Sequence, residues 1–176
     1  TQLDGNYKID YDVVRNSDGL KVSVSEKGVN LYSFKMPKGG VTVTPVITAK
    51  TPAVVFGEIY MNGDSTPISE YSDCSFSVTY KDGTKEKRTE FKGQGDKTVN
   101  IPVLEYVDLR YETSSGVAFV RYEVEVDGDF SKSDLTKAQW CELLTNQANN
   151  SAYFQIPDGA TNVTIKAFFE SGKVPM

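Results

Sequence analysis

Over most of its length the chain alternates apolar and polar residues with a period of two, and Gly, Asn, Asp and Pro interrupt the alternation at short intervals. That period puts successive side chains on opposite faces of an extended segment, so each run reads as a half-buried β-strand. Tyr7, Ile9, Tyr11 and Val13 alternate with Lys8, Asp10 and Asp12. Asn16-Ser17-Asp18-Gly19 reads as a turn, and Leu20, Val22 and Val24 as the returning strand, so 7–24 is expected to be a hairpin. Strands over 31–36 and 41–47 follow, separated by Pro37-Lys38-Gly39-Gly40. The stretch 53–60 is almost continuously apolar, which predicts a strand in the middle of a sheet.

Phe76, Val78 and Tyr80 lead into Lys81-Asp82-Gly83-Thr84, where Asp-Gly predicts a type I′ hairpin turn. The return strand over 86–91 is charged and suits an exposed sheet edge. Val99 and Ile101 resume the alternation. Val103, Val107, Leu109 and Tyr111 then oppose Asp108, Arg110 and Glu112. Ala118, Val120, Tyr122, Val124 and Val126 form the cleanest half-buried strand, with Arg121, Glu123 and Glu125 on its solvated face. Strands over 153–156 and 163–169 complete the set.

One segment breaks the pattern. Over 134–148 the residues are good helix formers, and Leu135, Ala138, Cys141, Leu144 and Ala148 fall on one stripe flanked by Trp140 and Leu143. Ser131 or Ser133 is the expected cap, Asp134 suits the positive end of the helix dipole, and Asn149-Asn150 suits the C-terminal end. The helix is expected to cover a sheet edge or one end of the molecule, with Trp140 in the core. The pattern as a whole predicts a mainly β fold: an antiparallel β-sandwich of about eleven or twelve strands with one amphipathic helix. A single unit over 1–176 is expected; the alternative is a β-sandwich over 1–101 and a smaller β domain with an inserted helix over 102–176.

Composition changes the picture chiefly by what it excludes. The chain has no histidine, which rules out Ser-His-Asp and Cys-His nucleophile activation, an imidazole pH switch and the commonest nitrogen ligand of zinc. The net charge is −5 and the pI about 4.8. The densest basic stretch, Lys85, Lys87, Arg88 and Lys92, is interrupted by Glu86 and Glu90, so nucleic acid is not an expected partner. No run reaches the roughly 18 apolar residues that span a bilayer, and TQLDGNYKID is polar from its start. Cys74 and Cys141 read either as one disulfide or as separate buried thiols.

Candidate chemistry is sparse. Asp127-Gly128-Asp129 is followed by Lys132 and Ala138 where an EF-hand needs Gly and Glu, so the segment reads as a turn feeding the helix and no metal or other cofactor is expected. The connection 61–73 is long and polar, is bracketed by Tyr60 and Tyr71, and carries Asp64, Glu70 and Asp73. Long loops on a rigid sheet are common recognition surfaces, and tyrosines stack on sugars or anchor protein interfaces. Tyr60, Asp64, Glu70, Tyr71, Asp73 and Tyr106 are therefore the candidate binding residues. Glu58, Glu105 and Glu123 are carboxylates of the kind a glycosidase uses, but no sequence spacing pairs them. Asn149-Asn150-Ser151 and Asn162-Val163-Thr164 match the glycosylation tripeptide.

The chain also contains an internal echo. Phe34-Lys35-Met36-Pro37-Lys38-Gly39 has a counterpart 120 positions on (34 to 154) in Phe154-Gln155-Ile156-Pro157-Asp158-Gly159. After a two-residue insertion, Val41-Thr42-Val43 matches Val163-Thr164-Ile165. A hairpin is expected before each motif, over 7–24 and over 109–126. The stretch Tyr32-Ser33-Phe34-Lys35-Met36-Pro37-Lys38-Gly39-Gly40-Val41-Thr42-Val43 resembles the ending of immunoglobulin-like and β-grasp repeats of exported bacterial surface proteins. The long helix and the cysteines depart from that pattern. The resemblance implies an extracellular or cell-surface setting and a noncatalytic recognition or spacer role, with a protein partner or an extracellular glycan; it carries over no functional residue. Carbohydrate binding through surface tyrosines and a carboxylate-based hydrolase are the alternatives.

Overall fold

A computed structural model of the chain describes residues 7–28, 31–68, 73–92 and 97–172. The described residues form twelve strands and one helix, so the chain is mainly β. Two four-stranded sheets make a sandwich. The first is built from β5 (Pro52–Met61), β8 (Thr98–Pro102), β10 (Val117–Gly128) and β12 (Ala160–Ser171), in the order β10-β12-β5-β8. The second holds β6 (Cys74–Asp82), β7 (Lys85–Phe91), β9 (Tyr106–Thr113) and β11 (Tyr153–Gln155), in the order β11-β9-β6-β7. As the sequence pattern predicts, β5 is internal and the charged β7 is an edge.

The sandwich is not purely antiparallel. β5 runs parallel to β12, from Asn162 opposite Val54 to Phe169 opposite Met61. Parallel neighbours need a crossover, and the whole second sheet lies between β5 and β12 in the chain. Inward residues of both sheets, among them Val55, Ile59, Phe76, Val78, Leu109, Val124, Ile165 and Phe169, join one buried cluster.

The helix α1 (Lys137–Ser151) starts and ends about three residues later than the sequence reading places it. Its cap is Thr136, not Ser131 or Ser133: Thr136 and Gln139 form a reciprocal capping box, which satisfies two otherwise orphaned N–H groups. Ala152, left-handed at φ 59°, ends it beyond Asn149-Asn150. The buried stripe is Trp140, Leu144 and Ala148, so Ala138 lies outside it. Trp140 is in the core, as expected, with its Nε1 donating to Ser133 Oγ at 3.1 Å.

As expected, the helix covers a sheet edge, and it does so by hydrogen bonding. Cys141, Thr145 and Asn149 stand one turn apart and meet the free edge of β10. Val126 N–H donates to Cys141 Sγ at 3.3 Å, Val124 N–H to Thr145 Oγ1 at 2.9 Å, and Tyr122 N–H to Asn149 Oδ1 at 2.9 Å. In return Thr145 Oγ1 donates to Val124 O at 3.2 Å and Asn149 Nδ2 to Tyr122 O at 2.8 Å. A row of side chains thereby replaces a neighbouring strand. This satisfies backbone groups that an edge otherwise offers to another chain.

Several local expectations are corrected. A bulge between Phe119 and Arg121 shifts the alternation of β10, so Val120 faces solvent and Phe119 packs against the core. In the β6–β7 hairpin Asp82 pairs with Lys85, so Gly83 and Thr84 are the central residues. Gly83 has φ 67° and Thr84 is not left-handed, the signature of a type II′ turn and not of type I′. Cys74 and Cys141 are free thiols: Cys74 is buried beside Met61, and Cys141 belongs to the helix–edge contact.

Residues 7–28 and 31–49 form two further two-stranded sheets. β1 (Tyr7–Arg15) pairs antiparallel with β4 (Val41–Ala49), and β2 (Val24–Gly28) with β3 (Leu31–Phe34). The hairpin expected over 7–24 does not form. Between β1 and the returning segment the pairing stops beside the turn, with the bridge Val14–Lys21 and the bonds from Val22 N–H to Val13 O at 2.8 Å and from Arg15 N–H to Leu20 O at 2.9 Å, whereas β4 pairs with all nine residues of β1. Likewise 109–126 is not a hairpin: β9 and β10 belong to different sheets, and the chain crosses from one layer to the other at Ser114–Gly116.

Candidate functional site

The register of β1 with β4 separates the two faces of their sheet. On one face Ile9 lies opposite Ile47, Tyr11 opposite Pro45, Val13 opposite Val43 and Tyr7 opposite Ala49. On the other lie Lys8, Asp10 and Asp12 with Thr48, Val46 and Thr44. The polar face is turned to the sandwich: Lys8 Nζ binds both carboxylate oxygens of Asp158, at 2.7 and 2.6 Å. Lys50, just after β4, pairs with Glu105 at 2.9 Å, and Lys27 pairs with Asp134.

The apolar face remains open. Tyr11 is 42% exposed, Val43 45% and Ile47 59%, and within this face Val13 is buried. Tyr32 of β3 meets Tyr11 edge-on at 6.0 Å. A cleft of about 330 Å³ lies beside it, lined by Tyr7, Ile9, Tyr11 and Tyr32 together with Lys8, Lys50, Leu104 and Gln155. A sheet face of this composition is usually covered, because burying each aliphatic side chain is worth about 1.5–3 kcal/mol.

The residues singled out from the sequence do not converge on one platform. Tyr60 is buried on the outer face of β5. Its ring stacks on Phe168 at 4.9 Å, Lys166 lies 5.8 Å above it, and its hydroxyl donates to Glu58. Desolvation first and the Glu58 carboxylate second push its phenol well above the usual tyrosine range. Tyr106 is 54% exposed on the outer face of the other sheet, in a T-shaped pair with Tyr153 at 5.7 Å. Asp64 is exposed in the turn after β5, and Asp73 is exposed just before β6. Glu70 and Tyr71 lie outside the described residues.

Two of the three carboxylates share a sheet face, and the third lies apart. Glu58 and Glu123 flank Lys166 on an open sheet face, and Glu123 pairs with Arg121 at 3.2 Å. Glu105 is held by Lys50 elsewhere. Among the described residues no group of three or more Cys, Asp or Glu is placed to hold a metal ion, and no helix is long and apolar enough to cross a membrane.

Sequence reasoning missed the open face as a candidate site. Its residues carry the period-two signal of any half-buried strand, and nothing local tells a covered face from an uncovered one. The signal available was the echo, which aligns the face with a segment of the same chain. In comparisons with protein-family models, curated proteins and solved structures, nothing matches this chain.

Proposed function

We propose that the chain is a noncatalytic recognition or spacer module of a secreted or cell-surface protein, and that it engages a protein partner through the open face of the β1–β4 sheet. The observation that carries this reading is the exposure of Tyr11, Val43 and Ile47 on a face with hardly a charge on it. Apolar, aromatic-rich patches of this kind suit protein interfaces. The lack of histidine and the resemblance of 32–43 to surface-protein repeats support a role in recognition outside the cell.

Chemical cross-linking of the full chain in the extracellular fraction of its source, read by mass spectrometry, tests the proposal. The expected result is protein cross-links that disappear in Ile47→Lys. A second reading, glycan binding, is favoured only by the exposed Tyr106–Tyr153 pair. Its rings stand at 63° and offer no shared plane for a sugar. A glycan-array signal lost in Tyr106→Ala would replace the first reading with this one.

A further inference from the structure

The echo between 34–43 and 154–165 extends into three dimensions. In both places a Pro-X-Gly turn joins a short strand to a long one. Gly39 has φ 92° and Gly159 φ 91°. Gly40 N–H donates to Pro37 O at 3.4 Å, and Ala160 N–H to Pro157 O at 3.2 Å. The long strand after each turn then pairs antiparallel with a strand that precedes the motif in the chain, β4 with β1 and β12 with β10. The registers correspond: Val13 faces Val43 as Val124 faces Ile165, and Tyr11 faces Pro45 as Tyr122 faces Ala167. β2 occupies the place in the chain that α1 holds in the second unit.

The burial of the units differs sharply. Ile165, Phe169 and Tyr122 are 0%, 1% and 3% exposed, whereas their counterparts Val43, Ile47 and Tyr11 are open. The reason is visible in the second unit. There β5 runs parallel along β12, and the β6–β9 layer covers the inward face with Phe76, Val78 and Leu109. Among the described residues β4 pairs with β1 alone and no second layer lies on Val43 and Ile47.

We infer that the β1–β4 sheet is a half-module, and that its occupant is an extended polypeptide segment with alternating aliphatic or aromatic residues, which adds to the free edge of β4 as β5 adds to β12 and lays its apolar side chains beside Val43 and Ile47. This deepens the proposed function by naming the partner's chemistry, and it rests on that reading. A second copy stacked face to face is a poor occupant. A two-stranded face nine residues long covers only about 300 Å² per partner, against the roughly 800 Å² per partner of a standard interface.

Panning a phage-displayed random peptide library on the full chain tests the inference, with the double variant Val43→Lys/Ile47→Lys as counter-target. Enriched peptides are expected to alternate apolar and polar residues and to lose at least tenfold in affinity on the double variant. In hydrogen exchange they are expected to slow the amides of Val41–Ala49. Both substituted residues are exposed, so the variant keeps the unfolding midpoint of the parent. Binders that need Val43 and Ile47 but show no alternation would overturn the strand-like occupant and leave protein docking standing. Enrichment that survives both substitutions, or none at all, would overturn both. A concentration-dependent dimer in sedimentation velocity, abolished by the double variant, would reassign the face to a second copy.

Discussion

Replacing Thr145 by Val tests whether side chains of α1 substitute for a strand at the β10 edge. The swap conserves shape, and Thr and Val have similar helix propensities, so neither packing nor helix formation changes much. What changes is the hydroxyl, which accepts from Val124 N–H at 2.9 Å and donates to Val124 O at 3.2 Å. Val124 is buried beneath the helix, so its N–H has no ready access to water. An orphaned buried donor costs about 1–3 kcal/mol, and the carbonyl, with a second lone pair, adds less. The expected loss is therefore ~2 kcal/mol, which for a chain of this length lowers the melting temperature by about 4–8 °C. Urea denaturation reads the loss as a shifted midpoint at unchanged slope. Faster exchange of the Val124 amide localises it. Thr145→Ser, which keeps the hydroxyl, is expected to recover most of the stability. A Thr145→Val loss below ~0.5 kcal/mol, or a Thr145→Ser loss equal to it, would refute hydrogen bonding as the way the helix holds this edge.

Other substitutions probe the core. A Cβ on Gly57 would lie 2.3 Å from Cγ of Phe91, whose ring is buried against Phe76, so Gly57→Ala is expected to cost ~2 kcal/mol or more in equilibrium denaturation. The Tyr122 hydroxyl is buried without a partner among the described residues; Tyr122→Phe is expected to be neutral or to stabilise by up to about 1 kcal/mol, and a clear loss would contradict the orphan hydroxyl. Burial first and Asp73 second push the Cys74 thiol up to about 11, from an ordinary 9.0. The folded state therefore holds this proton more tightly than the unfolded one, and stability falls as pH rises from about 9 through about 11. Iodoacetamide at pH 8 is expected to alkylate Cys74 only after unfolding, and rapid labelling of the native protein would contradict its burial.

Much of the fold is legible in the sequence, because period-two alternation, turn residues and a helical stripe are local signals. The mainly β class, the internal β5, the edge position of β7, the helix over a sheet edge and Trp140 in the core all follow from them. The helix boundaries differ from the sequence pattern because Ser131 and Ser133 are equally good caps on paper. Only the reciprocal bonds of Thr136 and Gln139 select the true start.

Partner choice is not local, and there the tertiary structure decides. Nothing in Tyr7–Arg15 says that its partner is Val41–Ala49 and not the strand just after the turn. The parallel run of β5 beside β12 joins segments separated by the whole second sheet. The open face shows the same division. Val43 and Ile165 occupy matching positions of one repeated pattern, and the sequence determines that both belong on the apolar side of a strand. Which of them is buried depends on whether a second layer lies above it, and β6 and β9 supply that layer to Ile165 alone.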